Sequence, residues 1–248
     1  MINILLKPLI FFCKFIPAKF SGMIINSLIY LKAKSLPPND SLVFLFGIDK
    51  FLYGLEGNEA IRYGNGEHPK HRHLGYHNFF FENIDYDSSI LDFGCGNGAL
   101  ALDIAKNSKA ASIYAIDINP KNIETAKAKY FHPNIRYVCG DGLVDLPSLN
   151  FDTIVLSNVL EHIKDRVKLL NKLNEKYKPK KFLIRVPSFE RDWRVPLKKE
   201  IGVDYRLDDT HFIEYLFPEF ENEIFESNLR LSKVYFKWGE IWAVAIPG

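Results

Sequence analysis

Residues 90–98 read ILDFGCGNG, an apolar run closed by Asp92 and Phe93 that gives way to glycines at alternate positions, Gly94, Gly96 and Gly98. Glycine supplies positive φ and lets a backbone approach a ligand that a side chain would hold off. The next stretch, Ala99–Lys109, places apolar residues at helical spacing, so the segment reads as strand, tight turn and helix. In an open α/β sheet such a turn sits at the carboxyl end of the first strand, where ligands bind.

The alternation continues outward from it. Ile113–Asp117 reads as a strand and Pro120–Tyr130 as a helix with proline at its favoured first position. Strands follow at Ile135–Cys139 and Asp152–Leu156, a helix at His162–Tyr177 and a strand at Phe182–Val186. This order predicts a parallel sheet covered on both faces. The tail differs: Leu231–Lys237 and Glu240–Ile246 are β-rich runs separated only by Trp238 and Gly239, which predicts an antiparallel hairpin. The expected fold is α/β, a doubly wound, mostly parallel seven-stranded Rossmann-like sheet with a C-terminal antiparallel hairpin and an N-terminal helical arm. The expected division is an arm and linker at 1–66 and a ligand-binding domain at 67–248.

Composition narrows the function classes. Of 248 residues 47% are hydrophobic, enough for a sizeable core, and the net charge of +2 suits neither an acidic disordered chain nor a nucleic-acid binder. Three cysteines (Cys13, Cys95, Cys139) at irregular spacing exclude a disulfide framework and a CxxC zinc site, and fit a reducing, cytoplasmic compartment.

The first 34 residues depart from this average. They hold Lys7, Lys14, Lys19, Lys32 and Lys34, and no acid precedes Asp40. A spanning helix needs about 20 apolar residues, whereas the longest charge-free stretch runs from Phe20 to Leu31. Lys7 and Lys14 interrupt the apolar stretch, which argues against a secretory signal. Two readings remain. In one, short helices pack on the domain through Phe20, Ile24, Leu28 and Leu31; in the other, residues 1–34 make a weak peripheral contact with an anionic membrane. The expectation combines them, with the packed cap slightly ahead.

Three acids stand in register around the glycine turn. Asp92 lies two residues before Gly94, Asp117 ends the second strand, and Asp141 follows the third in Cys139-Gly140-Asp141-Gly142. Any one could cap a helix or turn. Together, with the GxGxG spacing and the terminal hairpin, they make the chain resemble the class I S-adenosylmethionine-dependent methyltransferases, from about His68 onward. The stretch FDTIVLSNVLEHI (Phe151–Ile163) resembles that family's fourth strand and the Leu-Glu-His signature of its small-molecule branch. The resemblance implies that Asp92, Gly94 and Gly96 hold the methionine part of the cofactor, Asp117 the ribose and Asp141 the adenine. It adds Ile118, Gly142 and Asn158 to the cofactor set. It also implies that the helix before the first strand closes over the cofactor, where Arg72 or Tyr76 would meet its carboxylate.

Four of the seven histidines, His68, His71, His73 and His77, crowd the same segment, but no cysteine or clustered acid joins them, so no metal is expected there. In the related ubiquinone-biosynthesis O-methyltransferases an acid three residues before the Leu-Glu-His glutamate helps hold a metal. Asn158 occupies that position here, so a magnesium site built from Glu161 and His162 is not expected.

Between the fifth strand and the next helix, Ser188–Asp209 is too long for a plain connection, and such segments are usually lids or binding loops. Its charges are interleaved with Trp193 and Tyr205. The expectation is an acceptor-binding lid using Glu190, Arg191, Trp193 and His211, with Asp209-Thr210 capping a helix that carries His211. His162 and His211 are the expected bases, because a neutral imidazole suits the deprotonation of a hydroxyl. The reading is methyl transfer from S-adenosylmethionine to an oxygen or nitrogen of a small molecule, a sugar or lipid-linked glycan being the favoured class. The rivals are a nicotinamide-dependent oxidoreductase, since Gly94–Ala99 nearly satisfies GxGxxG, and a non-catalytic membrane-associated scaffold.

Overall fold

The computed structural model describes residues 13–66, 68–110, 112–146 and 149–248. Seven strands form one sheet: β1 (Ser89–Phe93), β2 (Ser112–Asp117), β3 (Ile135–Cys139), β4 (Thr153–Ser157), β5 (Lys181–Pro187), β6 (Leu229–Lys237) and β7 (Glu240–Pro247). Their spatial order is β3-β2-β1-β4-β5-β7-β6. The pairs among the first five are parallel, and β7 runs antiparallel to both β5 and β6. The chain reverses direction of winding at β1, so the glycine turn lies at a switch point of the sheet. The expected class and the hairpin are both present, and Trp238 and Gly239 take the two positive φ values that a type I′ turn requires.

The strands bury alternate side chains on opposite faces, as their period of two dictates. On one face Leu91, Ile154, Phe182 and Ile184 join a core with Tyr177, Tyr215 and Phe220. On the other Ile90, Val155 and Leu183 pack with Phe79, Phe80, Ile104 and Trp242. The covering helices are α5 (Ala99–Asn107), α6 (Pro120–Lys129), α7 (Arg166–Tyr177) and α9 (Phe217–Glu226), numbered after the four helices that precede the sheet among the described residues and with α8 (Arg194–Glu200) in the 188–214 segment. Asn119 caps α6 by accepting from the Lys121 amide at 3.0 Å, with Pro120 at the first helical position.

Three sequence expectations are corrected here. The helix expected from His162 starts at Arg166, because Ile163 is extended after a 3₁₀ turn at Leu160–His162. The 188–209 segment contains a 3₁₀ turn (Phe189–Arg191) as well as α8. His211 lies in no helix: Asp208, not Asp209, turns the chain by accepting from the Thr210 amide at 2.8 Å, and α9 begins only at Phe217.

The N-terminal arm departs furthest. Residues 1–12, with Lys7, lie outside the described residues. Beyond them, α1 (Ala18–Lys34) folds back against α2 (Pro38–Tyr63), a 26-residue helix where a linker was expected. α1 buries no residue, and the face expected to pack on the domain is open, with Phe20 53%, Ile24 47%, Leu28 62% and Leu31 63% exposed. The reason is that α2 makes the attachment. Its Asp49 pairs with Arg194 at 3.0 Å, its Lys50 with Asp209 at 2.8 Å, and its one buried residue, Phe46, lies under the Lys198 ammonium. Two short helices, α3 (Lys70–Leu74) and α4 (Tyr76–Glu82), then lead into β1.

Candidate active site

A cavity of about 1260 Å³ opens at the carboxyl ends of the parallel strands. Its floor is the glycine turn. Gly94 has φ +73°, and a Cβ there would come within 2.8 Å of Val159, so the tight approach of the turn to the β4 loop needs glycine. The cavity-lining residues include Asp92, Gly94, Gly96, Asp117, Ile118, Asp141, Gly142 and Asn158, every expected cofactor residue of the turn side.

These residues differ in state. Asp117 is committed: Oδ2 accepts from the Gly96 amide at 2.9 Å, and Oδ1 from the Asn119 amide at 2.8 Å and Asn122 Nδ2 at 3.2 Å. It braces the glycine turn while keeping acceptor capacity for a ligand. Asp92 is not committed in this way. It is 1% exposed, its Oδ2 has no hydrogen-bond partner, and burial, with Asp117 close by, pushes its carboxyl up to about 7. Asp141 is exposed at the rim and turns Oδ1 back to the Leu143 amide at 2.7 Å. Ile118, 79% exposed, offers an apolar cover beside it.

The opposite wall is imidazole- and guanidinium-rich. Tyr76 on α4 is buried, its phenol pushed up to about 12 chiefly by burial, and lies 2.5 Å from His71 Nδ1. Burial, with His77, Lys70 and Arg185 adding to it, pushes His71 down to about 4, so the tyrosine donates and the neutral imidazole accepts. Arg72, the other residue expected over the cofactor, is exposed and does not line the cavity; the turn of α3 presents Lys70 and His71 instead. The four histidines do not converge. His77 is held by Asp103 at 2.5 Å, its ring centre 5.4 Å from that of His71, and among the described residues the four form no metal-holding group.

Sequence reasoning passed over Arg185. Its guanidinium makes a bidentate pair with Glu240 at 2.5 and 2.7 Å and stacks 3.7 Å from the centre of the Tyr76 ring. A single charge inside FLIRVP, an otherwise apolar strand, was the available signal, since a buried charge demands a partner. Tyr53 and Ile61 of α2 also reach the cavity and were masked by the expectation of a linker.

The 188–214 segment closes one side, but not through the residues expected. Trp193 is 71% exposed and does not line the cavity, nor does Glu190, because both sit where the chain turns outward into α8. Arg191 lines it, yet its guanidinium is engaged by Glu214, the Ser188 carbonyl at 3.0 Å and the Tyr205 carbonyl at 2.6 Å. Asp192, Arg194, Leu207, Asp208 and His211 are the segment's other cavity residues. His211 and His162 face each other edge to face with ring centres 4.6 Å apart. Glu161 lies beneath them, fully buried, with neither carboxylate oxygen partnered; burial pushes it up to about 7. The Glu161 carbonyl accepts from the Phe212 amide at 2.7 Å, which ties the segment to the turn after β4.

With this geometry in view, residues 91–184 match the family model described as "Methyltransferase domain". By that match, residues 91–184 form a methyltransferase domain. Among curated proteins, the chain is 34% identical over 129 residues to the ribosomal protein L11 methyltransferase of Paraburkholderia phymatum, covering 50% of this chain and 39% of that one. The corresponding protein of Paraburkholderia phytofirmans is 33% identical over 109 residues, 44% of this chain and 34% of that one. The matched region thus spans well under half the length of these relatives. Among solved structures, a chain of the complex between the Haloferax volcanii Trm112 methyltransferase activator and its methyltransferase superposes with TM-score 0.60 at 15% identity, covering 74% of this chain and 93% of that one. Magnesium protoporphyrin IX methyltransferase from Synechocystis, with bound SAH, gives TM-score 0.55 at 15% identity, over 71% and 81% of the two chains. These two likenesses concern the fold.

The turn side fits the cofactor. S-adenosylmethionine carries an α-ammonium and a sulfonium, and the buried, unpartnered Asp92 oxygen is the acceptor such a cation seeks. A dinucleotide would instead bring its pyrophosphate against Asp92.

Proposed function

We infer that this chain transfers a methyl group from S-adenosylmethionine to an oxygen or nitrogen of a small, amphiphilic acceptor. The observation that carries the inference is that one cavity joins the orphaned Asp92 beside the glycine turn to the Glu161–His162–His211 cluster. S-adenosylmethionine supplies an electrophilic methyl carbon, and the displacement at that carbon is in line. The protein therefore has to align the acceptor and remove its proton. Asp92, Gly94, Gly96, Asp117 and Asp141 would hold the cofactor; Tyr76 and Arg185 wall the space beside it. The acceptor's proton leaves toward the Glu161–His162–His211 cluster, whose imidazoles line the same cavity.

Two features favour a small acceptor. The cavity is larger than one drug-sized ligand needs, which leaves room for cofactor and acceptor together. The 188–214 segment is fastened over it by ion pairs and not left open. The relatives named for a ribosomal protein match this chain over less than half their length, so that substrate does not carry over. Incubation with methyl-labelled S-adenosylmethionine and separated lipid, water-soluble and protein fractions of a cell extract tests the reading. Label is expected in a lipid or water-soluble molecule; label confined to protein would overturn it.

The open face of α1 favours a location. We propose that the arm rests on an anionic membrane, since Phe20, Ile24, Leu28 and Leu31 are exposed among Lys14, Lys19, Lys32 and Lys34 with no acid before Asp40. Among the described residues no helix is long and apolar enough to cross a membrane. Peripheral attachment on a cytoplasmic face would bring Tyr53 and Ile61, shared between the apolar surface and the cavity, close to a lipid-linked acceptor such as a glycan.

A further inference from the structure

We propose that Glu161, His162 and His211 form a binding site for a divalent first-row transition ion, on the acceptor side of the cavity. The ligand atoms these three residues offer all lie within 4.8 Å of one another, and no other such trio occurs among the described residues. Proximity alone would be weak; the hydrogen bonds around the trio make it specific.

Each imidazole has its outer nitrogen fixed. Thr210 donates its hydroxyl proton to Asp208 Oδ1 at 2.6 Å, so at 2.8 Å from His162 Nδ1 its oxygen acts as the acceptor and Nδ1 carries the proton. Glu214 Oε1 accepts from His211 Nδ1 at 2.9 Å, and Glu214 is itself held by Arg191 and by the Leu207 amide at 2.7 Å. Both rings therefore present an Nε2 lone pair. Glu161 adds a carboxylate that is fully buried with neither oxygen partnered. Three electron-pair donors thus lie within 4.8 Å of one another, with the Asn158 side chain beside the carboxylate, an arrangement that a cation relieves. Carboxylate or hydroxyl partners on the outer nitrogens are the usual supports of metal-bound histidine, because they set tautomer and ring orientation.

The donor set selects the class of ion. Two imidazole nitrogens and one carboxylate suit zinc, cobalt, iron or nickel, whereas magnesium and calcium prefer all-oxygen shells. Three protein ligands leave a position open toward the cavity, because His162 and His211 both line it. An acceptor hydroxyl bound there would release its proton more readily, to solvent in the cavity, and the imidazoles would serve as ligands and not as free bases. This role rests on the methyl-transfer reading; binding of the ion does not. The sequence pointed away from a metal because Asn158 stands three residues before Glu161, and the third ligand, His211, is 49 positions further along the chain than His162.

The test is titration of the metal-free protein with Co²⁺, read by its visible ligand-field absorption, with Zn²⁺ and Mg²⁺ as competitors. One equivalent of Co²⁺ is expected to bind, displaced by Zn²⁺ and unaffected by millimolar Mg²⁺. Glu161→Gln, close in shape to the native residue, should abolish the spectrum. Thr210→Val, at an exposed position that leaves the core untouched, should weaken binding about 10- to 100-fold. Absence of binding at millimolar Co²⁺ would overturn the proposal. So would binding unchanged by both substitutions and lost instead on replacing His68 and His73, which would place the ion on the histidine-rich helix.

Discussion

The Gly96 amide donates to Asp117 Oδ2 at 2.9 Å, so the acid at the end of β2 fixes the shape of the turn at the end of β1. A ligand on the turn and the carboxylate that braces it are thereby coupled. Asp117→Ala would strand the Gly96 and Asn119 amides and the Asn122 side chain. The expected cost to S-adenosylhomocysteine binding is about 1–3 kcal/mol, measured by calorimetry. Unchanged affinity would show that the brace is dispensable.

Asp92 makes the same binding pH-dependent. Its carboxyl titrates at about 7 in the free protein, raised first by burial and then by Asp117. An ammonium ligand favours the ionised form, so binding releases a proton and affinity should fall as pH drops below 7, by up to about tenfold per unit. Calorimetry in buffers of different ionisation enthalpy reads the proton directly. Without ligand the sign reverses for stability. Folded Asp92 retains a proton that the unfolded chain loses near pH 4, so its contribution declines as pH rises from there to about 7. Asp92→Asn should flatten both profiles.

Arg191 and Trp193, neighbours in sequence, should behave in opposite ways. The Glu214 side chain is wholly buried and Arg191 nearly so, and Arg191→Ala would leave that carboxylate without its guanidinium. Breaking such a pair costs about 3–5 kcal/mol, expected as a marked drop in melting temperature. Trp193→Ala, at an exposed position, should stay within about 0.5 kcal/mol of the native protein. Equal losses would mean that Trp193 packs against something in solution.

The arm makes a prediction of its own. Full-length protein should sediment with anionic vesicles at low salt, release as the Debye length shrinks below about 8 Å, and ignore neutral vesicles. Leu28→Glu together with Leu31→Glu should reduce binding with no loss of melting temperature, because neither residue is buried. Destabilisation without any change in vesicle binding would return these leucines to a packing role.

The sheet and the turn side of the site were legible because their signals are local: strands of period two, glycines at alternate positions and acids at strand ends. What escaped depended on distant partners. α2 contains Gly47, Gly54 and Gly57, each a helix-weakening residue, and so reads as a linker until its contacts with Arg194 and Asp209 are known. Pro196 hid α8, although a proline in the first turn is tolerated. Trp193 reads as an anchor by composition, but its neighbours in the fold leave it in solvent. Arg185, Glu214 and the pairing of His162 with His211 were invisible because each is defined by a residue dozens of positions away or by burial.

The glycine-turn cavity, with the unpartnered Asp92 oxygen beside it, suits a sulfonium cofactor's ammonium and not a dinucleotide's phosphates. Calorimetric titration of the purified protein with S-adenosylhomocysteine and with NAD tests it most directly. One saturable site for S-adenosylhomocysteine is expected, weakened by Asp92→Asn, with no heat of binding from NAD. Saturable NAD binding with no response to S-adenosylhomocysteine would contradict it.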